Sequence, residues 1–147
     1  RRINDNMGKY VAEKTVKELI KQNCLIGQAK VGILGLTFKE NVPDLRNSKV
    51  IDIITELSEY CLQVVVHDPL AHPEEAKREY GVNLLPFEEM RELDAVVLAV
   101  PHQSYKELSA SDLARLFKNP QKGVLVDVRG LFNPDEIKKY GLSYWRL

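Results

Sequence analysis

Gly35-Leu36-Thr37-Phe38-Lys39-Glu40-Asn41-Val42-Pro43-Asp44-Leu45-Arg46-Asn47-Ser48 is the stretch on which the reading of this chain turns. An apolar run, Val31 to Leu36, breaks off in a loop carrying Lys39 and Arg46, and a helical pattern begins near Ser48. Strand, cationic loop and helix N-terminus, in that order, are the parts with which α/β proteins take a phosphorylated ligand. Backbone N–H groups and the helix dipole favour an anion there, and the two cations add charge-assisted hydrogen bonds.

On the N-terminal side, Ala12, Val16, Leu19 and Ile20 recur at helical spacing, with Lys14, Lys17, Glu18 and Lys21 opposite. They predict an amphipathic helix of about four or five turns, capped at Asn4 or Asp5 and ending near Gly27. The first strand is expected over Val31–Gly35. Beyond the loop, Val50, Ile53, Ile54, Leu57 and Cys61 form the stripe of a second helix, which places Cys61 in the core. Further strands are predicted over Gln63–His67, Val82–Leu85, Asp94–Val100 and Gly123–Asp127, with a last edge strand at Leu142–Trp145. Between them lie a short helix over Glu74–Tyr80 closed by Gly81, a turn or two over Phe87–Leu93, and a helix marked by Leu113, Leu116 and Phe117. A final helix has Asn133 as cap, Pro134 at its first position, early acids at Asp135 and Glu136, and Gly141 past its end.

Apolar strands alternating with amphipathic helices predict an α/β protein: a Rossmann-like three-layer α/β/α domain with a mostly parallel sheet, preceded by one long N-terminal helix. Ligands of such sheets bind outside the carboxyl ends of the strands. That rule selects Thr37–Ser48, His67–Pro69, Pro101–Tyr105 and Asp127–Phe132. Lys39, Arg46 and Arg129 all fall at strand ends, and their convergence at one rim would suit a diphosphate. The plainer reading of Arg46 is a pair with Asp44 or Glu40 that stiffens the loop.

The composition narrows the partners. The 147 residues hold 21 Lys plus Arg against 21 Asp plus Glu, so the chain projects no strong field, and nucleic acid and membrane surfaces are not expected partners. Two isolated cysteines fit a reducing cytoplasm and no disulfide framework. Cys24, at the end of the first helix, is expected to be partly exposed, and neither cysteine has the base or cation that marks an activated thiol. His67, His72 and His102 lack metal-ligand spacing, and His102 reads as a loop hydrogen-bonding residue, with ligand contact as the alternative. Gly32 and Gly35 do not make a dinucleotide fingerprint, because both fall in the strand and Lys-Glu-Asn fills the turn; close packing of a helix on the strand explains them better. The start, Arg1-Arg2-Ile3-Asn4-Asp5, reads as the interior of a longer sequence.

Gly35-Leu36-Thr37-Phe38-Lys39 with Asp44-Leu45-Arg46-Asn47-Ser48 resembles the Gly-Leu-x-Phe-Lys…Asp-x-Arg-x-Ser signature of the UDP-glucose/GDP-mannose dehydrogenase family, in its C-terminal UDP-sugar-binding domain. Supporting resemblances are Arg2–Met7 to the end of the family's central helix, His67-Asp68-Pro69 to its Tyr-Asp-Pro turn, and Val126–Gly130 to its late Asp-x-Arg element. Pro43 and His67 depart from the usual residues. The loop, with Glu75–Gly81 and the ending Tyr144-Trp145-Arg146-Leu147, resembles the branch acting on UDP-N-acetylhexosamines for capsule and O-antigen sugars.

The resemblance implies that residues 1–27 are the tail of the central, interdomain and dimerisation helix and that residues 28–147 are the UDP-sugar-binding domain. It implies a parent enzyme that oxidises the C6 hydroxyl of a UDP-N-acetylhexosamine, or of UDP-glucose, to the uronic acid. Two NAD are consumed, and the intermediate is a thioester on a cysteine. The NAD-binding domain and that cysteine belong to an earlier part of such a polypeptide, so no catalytic residue is expected in this chain and the chain alone is expected to be inactive. Phe38, through its backbone, Lys39 and Arg129 are implied to hold the UDP-sugar, and Arg46 to reach towards NAD, with Asp44 and Asp127 orienting the cations. The implied partners are the UDP-sugar, the NAD-binding domain and a second copy of the full-length protein. The competing expectation is a flavodoxin-like regulatory or dimerisation module whose loop cations only pair with Asp44 and Glu40.

Overall fold

A computed structural model describes residues 2–147, with side chains described from Asn6 onward. Helix α1 (Arg2–Lys21) runs through Asn4 and Asp5, so neither ends it as a cap, and their side chains lie outside the described residues. Val11, Ala12, Val16 and Leu19 are buried along one side, while Ile20 is 56% exposed. One residue turns a helix by about 100°, which carries Ile20 off the stripe that Leu19 completes. Thr15, buried on the same side, donates its hydroxyl to the Val11 carbonyl at 2.8 Å.

The remaining elements are β1 (Lys30–Leu34), α2 (Val50–Ser58), β2 (Gln63–His67), α3 (Pro73–Tyr80), β3 (Ala95–Leu98), α4 (Gln103–Lys106), α5 (Ala110–Ala114), β4 (Val124–Asp127), α6 (Pro134–Lys138) and β5 (Ser143–Arg146). The strands form one sheet in the order β2-β1-β3-β4-β5, every pair parallel. Leu34 stands beside both His67 and Leu98, Leu98 beside Asp127, and Asp127 beside Arg146, so all the strands end level. The loops after β1, β2, β3 and β4 therefore leave the sheet side by side. After β1 the chain moves outward to β2 and then returns across β1 to β3, which puts the topological switch point between β1 and β3.

Both faces of the sheet are covered, and the strand residues alternate between them. Val31, Ile33, Ala95, Val97, Val124 and Val126 pack with α1, α2 and α3; Leu34, Val96, Leu98 and Leu125 pack on the other face with Tyr105, Leu113 and Ile137 from α4, α5 and α6. Helix α1 is also fastened to the edge strand: Ser143 Oγ donates to Glu18 Oε1 at 2.9 Å, and the Tyr10 ring meets Trp145 edge-on at 5.7 Å.

Several expectations need correction. Helix α2 ends at Ser58, and Cys61 follows in a turn with φ 65°, exposed rather than buried, because the helix stops before the stripe reaches it. In Val82–Leu85 only Leu84 bridges the sheet, at Val66. Helix α5 ends at Ala114, and Phe117 bridges Leu93 instead of continuing the helix. Gly35 lies one residue past β1, and α4 was not foreseen. The Asn133 cap is observed, its Oδ1 accepting the amides of Asp135 and Glu136 at 2.8 and 3.3 Å. Cys24 is partly exposed, as expected. Among the described residues no helix is long and apolar enough to cross a membrane.

Candidate functional site

The β1–α2 connection forms the rim at the switch point. Gly35 takes φ 98°, and a Cβ there would stand 2.8 Å from the Val100 nitrogen and 2.9 Å from its carbonyl oxygen, so only glycine lets the end of β1 pass the end of β3. The tight neighbour is thus a strand exit rather than a helix; at Gly32 the space is filled by Leu93 and Met90.

Asp68, at the end of β2, anchors the first residues of the loop. Its Oδ2 accepts the amides of Leu36 and Thr37 at 2.6 and 3.1 Å and the His102 Nε2 proton at 2.9 Å; its Oδ1 accepts the amides of Leu70 and Ala71 at 2.8 and 2.9 Å. Burial alone would raise the pKa of this carboxyl, but the His102 bond and the backbone amides outweigh it and bring it down to about 2. The far end of the loop is held too. Ser48 Oγ donates to the Leu36 carbonyl at 2.6 Å, the Phe38 amide to the Asp44 carbonyl at 2.7 Å, and Tyr80 Oη to the Leu45 carbonyl at 2.6 Å.

Beside this loop lies a cavity of about 120 Å³. Phe38 and Lys39 come from the loop, Lys49, Val50 and Ile53 from the start of α2, Ala99 and Val100 from beyond β3, Val128 and Arg129 from beyond β4, and Met7 from α1. Three cations from three chain segments thus surround an apolar floor at the strand ends. Among the described residues no carboxylate lies within 4.0 Å of Lys39 or Lys49, and Arg129 comes no nearer than 3.9 Å to Glu40. Small-ligand sites enclose roughly 300–1,000 Å³. This cavity is therefore large enough for only one end of such a ligand.

Of the four residues singled out in the sequence, Phe38, Lys39 and Arg129 come together here and Arg46 does not. The Arg46 side chain is 83% exposed and grips Asp44 with two bonds of 3.1 Å, through Nε to Oδ1 and Nη2 to Oδ2. That hydrogen-bonded pairing lowers the Asp44 carboxyl and raises the Arg46 guanidinium. Asp127 does not orient Arg129. Its Oδ2 accepts the Phe132 amide at 2.9 Å and the Tyr144 hydroxyl at 2.6 Å, and its Oδ1 is buried without a partner among the described residues. Burial, and then the bond to Asp127, push the Tyr144 hydroxyl well above its usual range. Asp127 thereby secures the loop that bears Arg129 rather than the guanidinium itself.

His102 is buried, with hydrogen bonds to Asp68, Thr37 and the Asn41 amide. His67, whose pKa burial lowers, shares a hydrogen bond of 2.8 Å with Tyr105 beside a separate apolar cleft. Cys24 lies beside Asp94 and Lys118, at the opposite ends of the strands from the cavity, and burial raises its thiol. Lys49 and the apolar floor were not foreseen. The available signal for Lys49 was position: it directly follows Ser48, where the helix was expected to begin at the rim.

The sequence pattern of the UDP-glucose/GDP-mannose dehydrogenase family, UDP binding domain, matches residues 32–134, a span that contains Lys39, Lys49 and Arg129. The chain is 48% identical over 147 residues to Protein CapL of Staphylococcus aureus, covering 100% of this chain and 34% of that protein. It is 42% identical over 136 residues to a UDP-N-acetyl-D-glucosamine 6-dehydrogenase of Pseudomonas aeruginosa, covering 92% of this chain and 32% of that protein. Among solved structures, an NDP-N-acetyl-D-galactosaminuronic acid dehydrogenase from Methanosarcina mazei Go1 superposes with a TM-score of 0.88 at 26% identity, over 99% of this chain and 30% of that one. The chain thus spans about a third of the length of the curated relatives it matches.

Proposed function

This chain belongs to the UDP-glucose/GDP-mannose dehydrogenase family, and from that premise we propose that it forms the UDP-sugar-binding wall of an NAD-dependent UDP-N-acetylhexosamine 6-dehydrogenase. The observation that carries the proposal is the set of three cations, Lys39, Lys49 and Arg129, around an apolar floor at the ends of β1, β3 and β4. A diphosphate placed at that rim gains charge-assisted hydrogen bonds from cations that give up little pairing to bind it. A regulatory or dimerisation module would use its loop cations as staples. Arg46 on Asp44 fits that use; Lys39 and Lys49 do not.

In this reading Lys39 and Arg129 bind the diphosphate, the Phe38 backbone orients the sugar nucleotide, and the apolar floor excludes water behind it. Helix α1, which ends at Lys21 and not near Gly27 as expected, serves as the tail of the interdomain helix, and residues 28–147 as the UDP-sugar domain. The small cavity needs a second wall, which is assigned to an NAD-binding domain carried by polypeptide outside these residues. Arg46, on the outer side of the loop, is placed to reach that domain by exchanging Asp44 for a cofactor phosphate. NAD supplies the hydride acceptor for the four-electron oxidation of the C6 hydroxyl to a carboxylate. The catalytic cysteine is also assigned elsewhere, since neither Cys24 nor Cys61 lines the cavity. The full-length protein is proposed to be a cytoplasmic homo-oligomer in capsule or O-antigen sugar synthesis.

Calorimetry of this chain with UDP, UMP and uridine tests the binding proposal. UDP is expected to bind in the millimolar range, UMP more weakly and uridine not measurably, with Lys39→Ala and Arg129→Ala each abolishing the UDP heat. Folded protein that gives no heat with UDP would overturn it.

A further inference from the structure

The buried polar group around His102 has a function that cavity lining does not reveal. The histidine is 1% exposed in its side chain and its Asp68 partner 0%. His102 Nδ1 accepts the Asn41 amide at 2.9 Å, so the ring proton must be on Nε2. There Asp68 Oδ2 at 2.9 Å and Thr37 Oγ1 at 3.0 Å share it. The Thr37 hydroxyl can then spend its own hydrogen on the Lys39 carbonyl at 2.9 Å. Next to the histidine, the Gln103 amide donates to Asn41 Oδ1 at 2.8 Å. One neutral imidazole thus satisfies every member of the network in a single arrangement.

Thr37, Asn41, Asp68, His102 and Gln103 do not line the cavity, yet their network closes on both sides of Lys39. Thr37 holds the Lys39 carbonyl, and His102 with Gln103 holds Asn41, two residues further on, at φ 63°. Asp68 brings the end of β2 into the same knot, so the loops after β1, β2 and β3 are fixed as a unit. We infer that His102 is a positioning residue: with Asp68 and Thr37 it presets the Thr37–Asn41 segment so that Lys39 meets the ligand's diphosphate without reordering the loop. The inference rests on the diphosphate reading for what Lys39 meets, and on the hydrogen bonds alone for how the segment is held. Ordering a loop on binding costs affinity, and a loop already ordered avoids that cost.

The test uses His102→Gln, whose side-chain NH₂ can still donate to Asp68 from the Nε2 position but which places no acceptor at the Nδ1 position facing the Asn41 amide. UDP affinity is expected to fall about tenfold, and the Asn41 amide to exchange with solvent about tenfold faster, while the far-ultraviolet circular dichroism is kept. Thr37→Val, which keeps the shape and removes the tether to the Lys39 carbonyl together with the shared contact to His102 Nε2, is expected to weaken UDP several-fold. Should His102→Gln fail to fold, Thr37→Val and the nitrogen NMR spectrum of the unaltered imidazole decide, the latter expected to show the proton on Nε2. A proton on Nδ1, or folded variants with unchanged Asn41 exchange and UDP affinity, would overturn the inference. If the unaltered protein takes up no UDP while the tautomer and exchange results hold, the diphosphate reading fails and the positioning of the segment stands.

Discussion

Replacing Asp68 with Asn removes a charge and half of an acceptor set while leaving the shape unchanged, and the structure fixes what that should cost. Oδ2 receives three donors and Oδ1 two. An amide keeps one acceptor oxygen, best placed on the three-donor side, and turns its NH₂ towards the Leu70 and Ala71 amides. Hydrogen bonds to a charged group contribute about 1.5–3 kcal/mol each, so losing two should cost about 3–6 kcal/mol near neutral pH, and weakening the other three adds to that. The cost should also depend on acidity. The carboxyl is lowered from 3.8 to about 2, so its charge-dependent stabilisation is complete above the unfolded value and is lost as pH falls towards the folded one. A shift of nearly two units corresponds to about 2 kcal/mol. Asn does not titrate. Urea unfolding followed by Trp145 fluorescence and circular dichroism should therefore show the difference between the two proteins shrinking by about 2 kcal/mol between pH 6 and pH 2. Other carboxylates, such as Asp44 and Asp112, titrate in both proteins and cancel in that difference. A gap that stays constant across the acid range would refute the reasoning.

Gly35→Ala should destabilise the domain by about 3 kcal/mol or more in thermal or urea unfolding, because the added methyl meets the Val100 backbone and φ 98° strains any other residue. Arg46→Ala should leave the urea midpoint nearly unchanged, since its pair with Asp44 is exposed and screened by solvent, and should leave UDP binding to this chain unaltered. In a full-length dehydrogenase the same change should raise the KM for NAD; an unchanged KM would remove Arg46 from the cofactor side. Lys49→Ala should weaken UDP about tenfold or more in calorimetry with no loss of fold, the effect of one charged contact at the rim. Unaltered affinity would take Lys49 out of the site.

The layer order was legible in the sequence because strands covered on both faces are apolar at nearly every position, as in Ala95–Leu98 and Val124–Asp127, and few other structures produce such runs. Where elements end was less legible. Cys61 shares the periodicity of α2, but the helix had already stopped, and periodicity does not register a turn that breaks it. Ile20 failed because one more step of about 100° past Leu19 carries it beyond the edge of the arc that holds Val11, Ala12, Thr15, Val16 and Leu19. At the site, loop position identified Lys39 and Arg129 but could not show that Asp127 turns towards Tyr144, because that depends on which sheet face the end of β4 presents. Asp68 and His102 were visible as strand-end residues. Their partnership was not, since it joins positions far apart in the chain through a tautomer that only the assembled network selects.

The central claim is that Lys39, Lys49 and Arg129 form one diphosphate site at the switch point of the sheet. It is tested most directly by titrating UDP into the nitrogen-15-labelled chain and following every backbone amide by NMR. Saturable shifts are expected only in Phe38–Asn41, Lys49–Val50 and Val128–Gly130, three segments distant in sequence that respond with one dissociation constant. Shifts centred on the His67, Phe87 and Tyr105 cleft, or no saturable shift in the folded protein, would contradict it.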